Sequence, residues 1–385
     1  MSTYIHHIET LVPENYYPQD FAREFMKENV PGRPAVKRIL HGIYANSAIE
    51  KRHSVIPDFH DDARPGIFFD HSKKTFLNPD TKTRNNFFTD HAKRMYCSLA
   101  ENAVSNSDFE KNDITHVITV SCTGFFNPGP DYFIVRHLGL KPETRRYHIG
   151  FMGCYAAFPA LKMAESICAE NPDAVVLIAT LELCTIHLKF EEDTDALISA
   201  SVFADGSAAA IVSKKTPNPD RPAFRIGSMQ TTLTDTGESD MAWTIGNNGF
   251  DMVLSTYVPE IINQNMESIL SDIQPHSKSP LGEIPNWAVH PGGRAILDKV
   301  EKGMKLPENA LKSSRTVLRN FGNMSSSTIL FVMKDLLGKE TAETEPVIGM
   351  AFGPGLTVES GLFDLIPAKS GKTNAAKEDD AVAVA

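Results

Sequence analysis

Apolar runs rich in β-branched residues alternate with helix-like patterns through residues 115–213. THVITVSCT (115–123) reads as a strand, DYFIVRHLGL (131–140) as the helix after it, and RRYHIG (145–150) as a second short strand. GFMGCYAAFPALKMAESICAE (150–170) then opens a helix, and DAVVLIATLEL (173–183) is apolar throughout, the pattern of a strand covered on both faces. SASVFADGSAAAIVSKK (199–215) passes from a helix end into another strand. This alternation predicts βαβ units in an α/β fold with a mixed sheet.

KKTPNPDRPAF (214–224) carries three prolines and interrupts the pattern, which then restarts. RIGSMQTTL (225–233) reads as a strand, and VPEIINQNMESILSDI (258–273) as a helix with Pro259 in its first turn. NWAVHPGG (286–293) is a strand running into a glycine-rich turn. SSSTILFVMKDLLGKE (325–340) is helical, and PVIGMAFGPGLTVESGLFDLI (346–366) is a pair of strands joined by Gly-Pro-Gly. No repeat is visible residue by residue. The chain divides into 1–220, 221–367 and a tail, 368–385, whose poverty in bulky apolar residues predicts disorder. Its 385 residues exceed what one core fills, which agrees with two halves.

Charge and cysteine content narrow the function classes. A net charge of −10 argues against a general nucleic-acid binder, which needs clustered Lys and Arg. The start of the chain lacks a basic segment followed by an apolar run, and no stretch reaches the ~18–20 apolar residues of a membrane helix. No membrane span and a cytoplasmic location are expected. The five cysteines show no CxxC, so neither a disulfide framework nor a cysteine-type zinc site is suggested, and free thiols are expected.

Cys154 falls between small residues where a strand gives way to a helix. Unpaired N–H groups and the positive end of the helix dipole favour a thiolate there, although a small buried core residue is the ordinary explanation of such a cysteine. His290 ends a strand just before Pro291-Gly292-Gly293, where it is either structural or projected into a cleft. Asn323 follows Gly322 at the opening of an apolar helix, where it serves as an ordinary N-cap or as a donor. All three share one feature: they stand at element ends flanked by glycine, where close backbone approach is expected.

MGC at Cys154, AVHPGG at His290, GNMSSS at Asn323 and FGPGLTVES at 352–360 resemble, in order and spacing, the signature segments of the type III polyketide synthases, the chalcone synthase superfamily. The resemblance extends from about residue 49 to 365. It implies a thiolase-like fold of two similar halves layered αβαβα, working as a homodimer. The implied reaction is decarboxylative Claisen condensation of an acyl-CoA starter with malonyl-CoA, followed by cyclisation to a pyrone or phenolic polyketide. Cys154 would carry the acyl chain as a thioester, splitting the reaction into loading and extension. His290 would lower the thiol pKa as its imidazolium partner, and with Asn323 would supply N–H donors to the developing oxyanion. Coenzyme A thioesters would be substrates, with no cofactor and no metal.

Further positions follow from the resemblance. Phe203 matches an aromatic gate, Cys122 and Thr123 line the cavity, and Cys184 and His187 shape it. Phe250 and Met252 both suit a second gate, and Gly353 and Pro354 lie in the FGPG segment of the pocket. Glu182 would be a buried carboxylate in need of partners. Lys51 and Arg52 align with the basic segment, giving them the CoA phosphates, and Asn127 stands where relatives cross the dimer interface. Pro159 would remove a hydrogen bond from a helix begun at Cys154. MAWTIGNNGFDMVLSTYVPEI (241–261) resembles microbial members that take long-chain acyl-CoA and form alkylpyrones or alkylresorcinols. The alternatives are a ketoacyl synthase that starts fatty acid synthesis, a Cys-His acyl-thioester hydrolase, and a non-catalytic acyl-CoA-binding protein.

Overall fold

The computed structural model describes residues 2–30, 32–60, 66–271, 273–369 and 382–384. Its frame is a ten-stranded mixed sheet with the order Asn286–Val289, Glu345–Gly353, Thr357–Ile366, Ala223–Leu233, Thr3–Pro13, Asp205–Ser213, Val175–Leu183, His116–Ser121, Arg145–Gly150. The tenth strand, Val382–Val384, lies beside Thr3–Pro13 in parallel. The other residues of the tail expected to be disordered lie outside the described set, apart from 368 and 369.

The sheet contains a repetition that the sequence hides. Outward from the centre on one side run Thr3–Pro13, Asp205–Ser213, Val175–Leu183 and His116–Ser121, related as antiparallel, antiparallel, parallel. Outward on the other run Ala223–Leu233, Thr357–Ile366, Glu345–Gly353 and Asn286–Val289, related in the same way. The two series meet through three residue pairs, from Thr3↔Ile226 to Ile5↔Phe224.

Side-chain alternation turns this sheet into layers. Val176, Ile178, Ala208 and Ala210 pack with Val347, Ala351, Phe363 and Leu365 around the buried helices Ala157–Glu170 and Thr328–Leu337. Their neighbours Val175, Leu177, Ala209 and Ile211 face the other way, onto the long helix Thr81–Ser105. In the second series Ile348, Met350, Trp287 and Val289 turn outward onto Val258–Ser271 and Arg294–Met304. The two halves of the sheet thus lie on either side of the buried helices, and the order is helix, half-sheet, helix, half-sheet, helix, as the αβαβα expectation requires.

The strands most apolar in sequence are the ones buried on both faces, with Val175–Leu183 and Asp205–Ser213 wholly buried. Cys122 and Thr123, Cys184, His290 and Pro354 each follow directly after a strand. Loops at the carboxyl ends of strands are where open α/β sheets place their ligands.

Candidate active site

One cavity of about 930 Å³, counted to its solvent-open mouth, brings together residues from distant parts of the chain. Cys154, His290 and Asn323 line it, together with Cys122, Thr123, Cys184, His187, Phe203, Phe250, Met252 and Pro354. Gly353 does not line it, although its neighbours Phe352 and Pro354 do, and Lys51 and Arg52 do not reach this cavity. The lining is mostly apolar with a few converging polar groups, the usual make-up of a small-molecule site.

Cys154 stands on a sharp turn. Phe151 and Gly153 take left-handed φ of 60° and 84°, and the helix begins only at Ala157. A side chain at Gly153 would bring its Cβ within 2.6 Å of Pro354 Cδ, and one at Gly353 within 2.4 Å of the Tyr155 ring. The two glycines therefore interlock the cysteine turn with the 352–354 segment, which explains physically why both segments are glycine-rich. Because the helix starts at Ala157, Pro159 sits among its first residues, whose N–H groups have no intrahelical acceptor to lose.

The same start places Cys154 ahead of the first helical turn, which corrects the expectation of a thiol held directly in the helix field. Burial pushes the thiol up to about 11; hydrogen bonds from Ser325 and Asn323 pull it down, and the Glu182 charge pushes it up. In this structure burial outweighs the thiolate-favouring contacts.

His290 ends its strand with its N–H donating to Met350 O at 2.7 Å. Its ring is 1% exposed, and neither ring nitrogen has a partner among the described residues. Burial lowers its pKa to about 3, so the imidazole is neutral and carries one N–H. A buried, unpartnered pair of ring nitrogens facing a cavity is a group held ready for a ligand.

Asn323 is also fixed, and also buried. Its Oδ1 accepts the Ser325 N–H at 2.9 Å, which turns Nδ2 the other way, and one Nδ2 hydrogen reaches Gly292 O at 3.2 Å. The second amide hydrogen is the one that favours the Cys154 thiolate, so it faces the thiol and the cavity. The backbone is held as firmly: Asn323 N–H donates to Val202 O at 2.8 Å and Ala204 N–H donates to Asn323 O at 2.9 Å, so Asn323 pairs with Phe203 as a parallel bridge. It is not an ordinary N-cap, since a 3₁₀ turn, Ser325–Ser327, capped by Met324, comes next and the helix Thr328–Leu337 starts five residues on.

Glu182 has the partners its burial demands. It accepts from Cys122 N–H at 3.0 Å, Thr123 Oγ1 at 2.9 Å and the Ser326 hydroxyl, with Cys122 Sγ at 3.4 Å. His187 donates from Nε2 to Thr123 O at 2.7 Å and accepts the Phe250 N–H on Nδ1, which assigns its tautomer. Burial lowers its pKa to about 3, and it stacks on Phe250 at 4.0 Å. His187 and Phe250 thus form one rigid wall; Met252, on the same hairpin, is half-buried against the cavity.

Sequence reasoning missed Trp243 and Ser325. Trp243 Nε1 donates to Cys122 O at 2.8 Å and its ring faces the pocket. Ser325 touches both the Cys154 and Cys122 thiols. Its place in GNMSSS was visible, but its left-handed φ of 48°, which aims the hydroxyl, was not.

Arg52 departs from the expectation. It is 7% exposed, with Nε on Gln19 Oε1 at 2.9 Å and Nη1 on Phe203 O at 2.6 Å, so its guanidinium faces the interior rather than a solvent-borne phosphate. Lys51, beside it, lies over the Tyr16 ring at 5.3 Å.

A family model described as chalcone and stilbene synthases, N-terminal domain, matches residues 3–216, and the C-terminal domain model matches 226–367. The structure is similar to that of PKS-I from the brown alga Ectocarpus siliculosus, with 27% sequence identity, a TM-score of 0.87, and coverage of 95% of this chain and 98% of that one. It is also similar in fold to the C-terminal type III polyketide synthase domain of Steely1, a type I/III hybrid from Dictyostelium, with 24% identity, a TM-score of 0.85, and coverage of 96% and 100%.

Proposed function

The chain belongs to the chalcone and stilbene synthase family and is a type III polyketide synthase, and from that premise we propose that Cys154 is its nucleophile, working on a long-chain acyl starter. The observation that carries this reading is the opening of Cys154, His290 and Asn323 onto one apolar cavity.

Loading begins when the Cys154 thiol gives its proton to His290. The two groups are separately costly to ionise in this interior, but as a pair each supplies the opposite charge that the other lacks. The thiolate adds to the acyl-CoA carbonyl, the C–S bond to coenzyme A breaks, and the leaving thiolate takes the proton from the imidazolium. In extension, malonyl-CoA loses CO₂, and the electron pair of the broken C–C bond becomes an enolate on the thioester oxygen. The neutral His290 N–H and the Asn323 Nδ2 hydrogen that faces the Cys154 sulfur are the donors for that oxygen, each worth about 3–4 kcal/mol at such a site. The enolate carbon then attacks the Cys154 thioester and expels the thiolate, leaving a ketoacyl-CoA two carbons longer. Reloading and cyclisation to a pyrone or phenolic ring complete the sequence. The substrates carry all the reacting atoms, so no resident cofactor is invoked.

Support for a long starter comes from volume. A second cavity of about 470 Å³, lined by Tyr17, Phe21, Phe25, Phe59 and Phe190, shares Leu188 and Ala200 with the first. Support for a homodimer comes from the outermost strand, Arg145–Gly150, which is largely exposed and bordered by Phe125, Tyr132, Tyr147 and Phe151, all more than a third exposed. An exposed sheet edge with aromatic neighbours is what a second copy covers. Phe151 also contacts the pocket residue Phe250 at 5.6 Å, so that interface would border the site. Five free thiols suit a reducing compartment such as the cytosol. Among the described residues no helix is long and apolar enough to cross a membrane.

The test is incubation with acyl-CoA starters of graded length and malonyl-CoA, with mass spectrometry of products and of Cys154. Acylation at Cys154 and cyclised products lengthened by two-carbon steps are expected. Free acid formed without malonyl-CoA, or full products from Cys154→Ala, overturns the reading.

A further inference from the structure

The last carbonyls of the Thr194–Val202 helix have no acceptor role inside that helix and need donors from elsewhere. Each finds one. The Tyr44 hydroxyl donates to Ala200 O at 3.0 Å, the Gln19 amide to Ser201 O at 2.7 Å, the Asn323 N–H to Val202 O at 2.8 Å, and Arg52 Nη1 to Phe203 O at 2.6 Å. The first, second and fourth donors belong to one connected group. Gln19 Oε1 holds Arg52 Nε, and the guanidinium lies over the Tyr44 ring, 5.8 Å from its centroid. A cation is thereby placed at the negative pole of a helix, where it is favoured. Burial lowers the Arg52 pKa, opposed by Tyr44 and Asp205 nearby.

That helix end carries two parts of the site. Phe203 lines the cavity, and Asn323 is bracketed by Val202 O and Ala204 N–H. Gly322, at φ 72°, brings the chain so close that a Cβ there would stand 2.8 Å from Arg52 Cγ and 2.9 Å from Val202 O. Arg52 therefore packs directly on the residue before Asn323. Cys154 and His290 are held by other elements, namely the interlocked glycine turn and the Asn286–Val289 strand.

We propose that Arg52 is a positioning residue: with Gln19 and Tyr44 it fixes the carbonyl end of the Thr194–Val202 helix, and through that end sets the Asn323 carboxamide against the cavity. The proposal rests on the condensation chemistry above. Its consequence is selective: loading depends on Cys154 and His290, whereas malonyl decarboxylation depends on where the carboxamide points. Misplacing a donor by about 1 Å costs on the order of a hundredfold in well-positioned sites.

The experiment compares wild type, Arg52→Met and Arg52→Lys in two assays: CO₂ release from malonyl-CoA, and the rate of Cys154 acylation, followed by intact mass, by a short-chain acyl-CoA that does not extend into the second cavity, which Arg52 also lines. For Arg52→Met the kcat of CO₂ release is expected to fall about tenfold or more, with KM for malonyl-CoA within about twofold and acylation within about threefold. Arg52→Lys, which keeps one donor, should recover part of the loss. Equal falls in both assays, or no fall in CO₂ release, overturn the proposal. Should Arg52→Met fail to fold, Gln19→Leu, which removes both the acceptor for Arg52 Nε and the donor to Ser201 O in the same group, carries the same comparison with the same two outcomes. A folded wild type that releases no CO₂ from malonyl-CoA sinks the condensation reading itself, which separates the two failures.

Discussion

Replacing Asn323 by Ala and by Asp separates the loss of a donor from the arrival of a charge. In the native site Oδ1 accepts the Ser325 N–H at 2.9 Å and Nδ2 gives one hydrogen to Gly292 O at 3.2 Å, while the other faces the Cys154 thiol, from which it can pass to an enolate oxygen. Alanine removes that hydrogen, a loss of about 3–4 kcal/mol or roughly 10²–10³ in rate. It also strands the buried Ser325 N–H, at a stability cost of about 1–3 kcal/mol. Aspartate keeps an oxygen for Ser325 but sets a negative charge against the developing enolate. At ~4 Å and an effective dielectric of ~20 that repulsion is worth about 4 kcal/mol, which adds to the lost donor. CO₂ release from malonyl-CoA should therefore rank wild type, then Asn323→Ala, then Asn323→Asp, with the last near the uncatalysed background. Melting temperatures should fall in both variants, and further in Asn323→Asp, whose buried carboxylate would face Gly292 O with no donor between them. Decarboxylation equal in the two variants, or cut no further than Cys154 acylation, would refute the oxyanion role.

Three further outcomes follow from the geometry. Glu182 raises the Cys154 pKa through its charge, so Glu182→Gln should lower it, and alkylation of Cys154 by iodoacetamide should reach half its maximal rate at a lower pH; an unchanged or higher midpoint by peptide mass spectrometry contradicts this sign. Gly153→Ala combines a left-handed φ of 84° with a 2.6 Å overlap onto Pro354, and should lower stability by about 2–4 kcal/mol and slow acylation of Cys154; a melting temperature within a degree of wild type would show that the turn relaxes freely. Tyr147→Glu, on the exposed edge strand, should yield monomers in sedimentation where the wild type sediments as a dimer; a wild type already monomeric at micromolar concentration removes the homodimer from the proposal.

Strands buried on both faces were the most legible parts of the sequence, because continuous apolar runs such as 175–183 have few other homes. The helices that follow Cys154 and Asn323 were also readable, although their starts fell three to five residues later than drawn, since turns of special φ precede them and periodicity does not report φ. The repeated sheet order was not legible, because matching strands need only be apolar and not alike. Cys154, His290 and Asn323 were singled out by glycine at element ends, and all three meet the cavity. Trp243 and Ser325 escaped notice because their orientation depends on a hairpin and on a left-handed residue. Arg52 was misread for the opposite reason: a basic residue in a basic segment looks solvent-facing, and only the carbonyl end of a helix distant in sequence explains why it turns inward.

The interlocking of Gly153 with Pro354 has a consequence for biosynthesis. On the ribosome, Pro354 emerges 200 residues after Cys154, so the nucleophile is made long before the wall that shapes its turn. Nascent chains halted before that point should carry an ordinary, unselective sulfhydryl, and enzymatic competence should arise in a single late step when the second half docks onto the first.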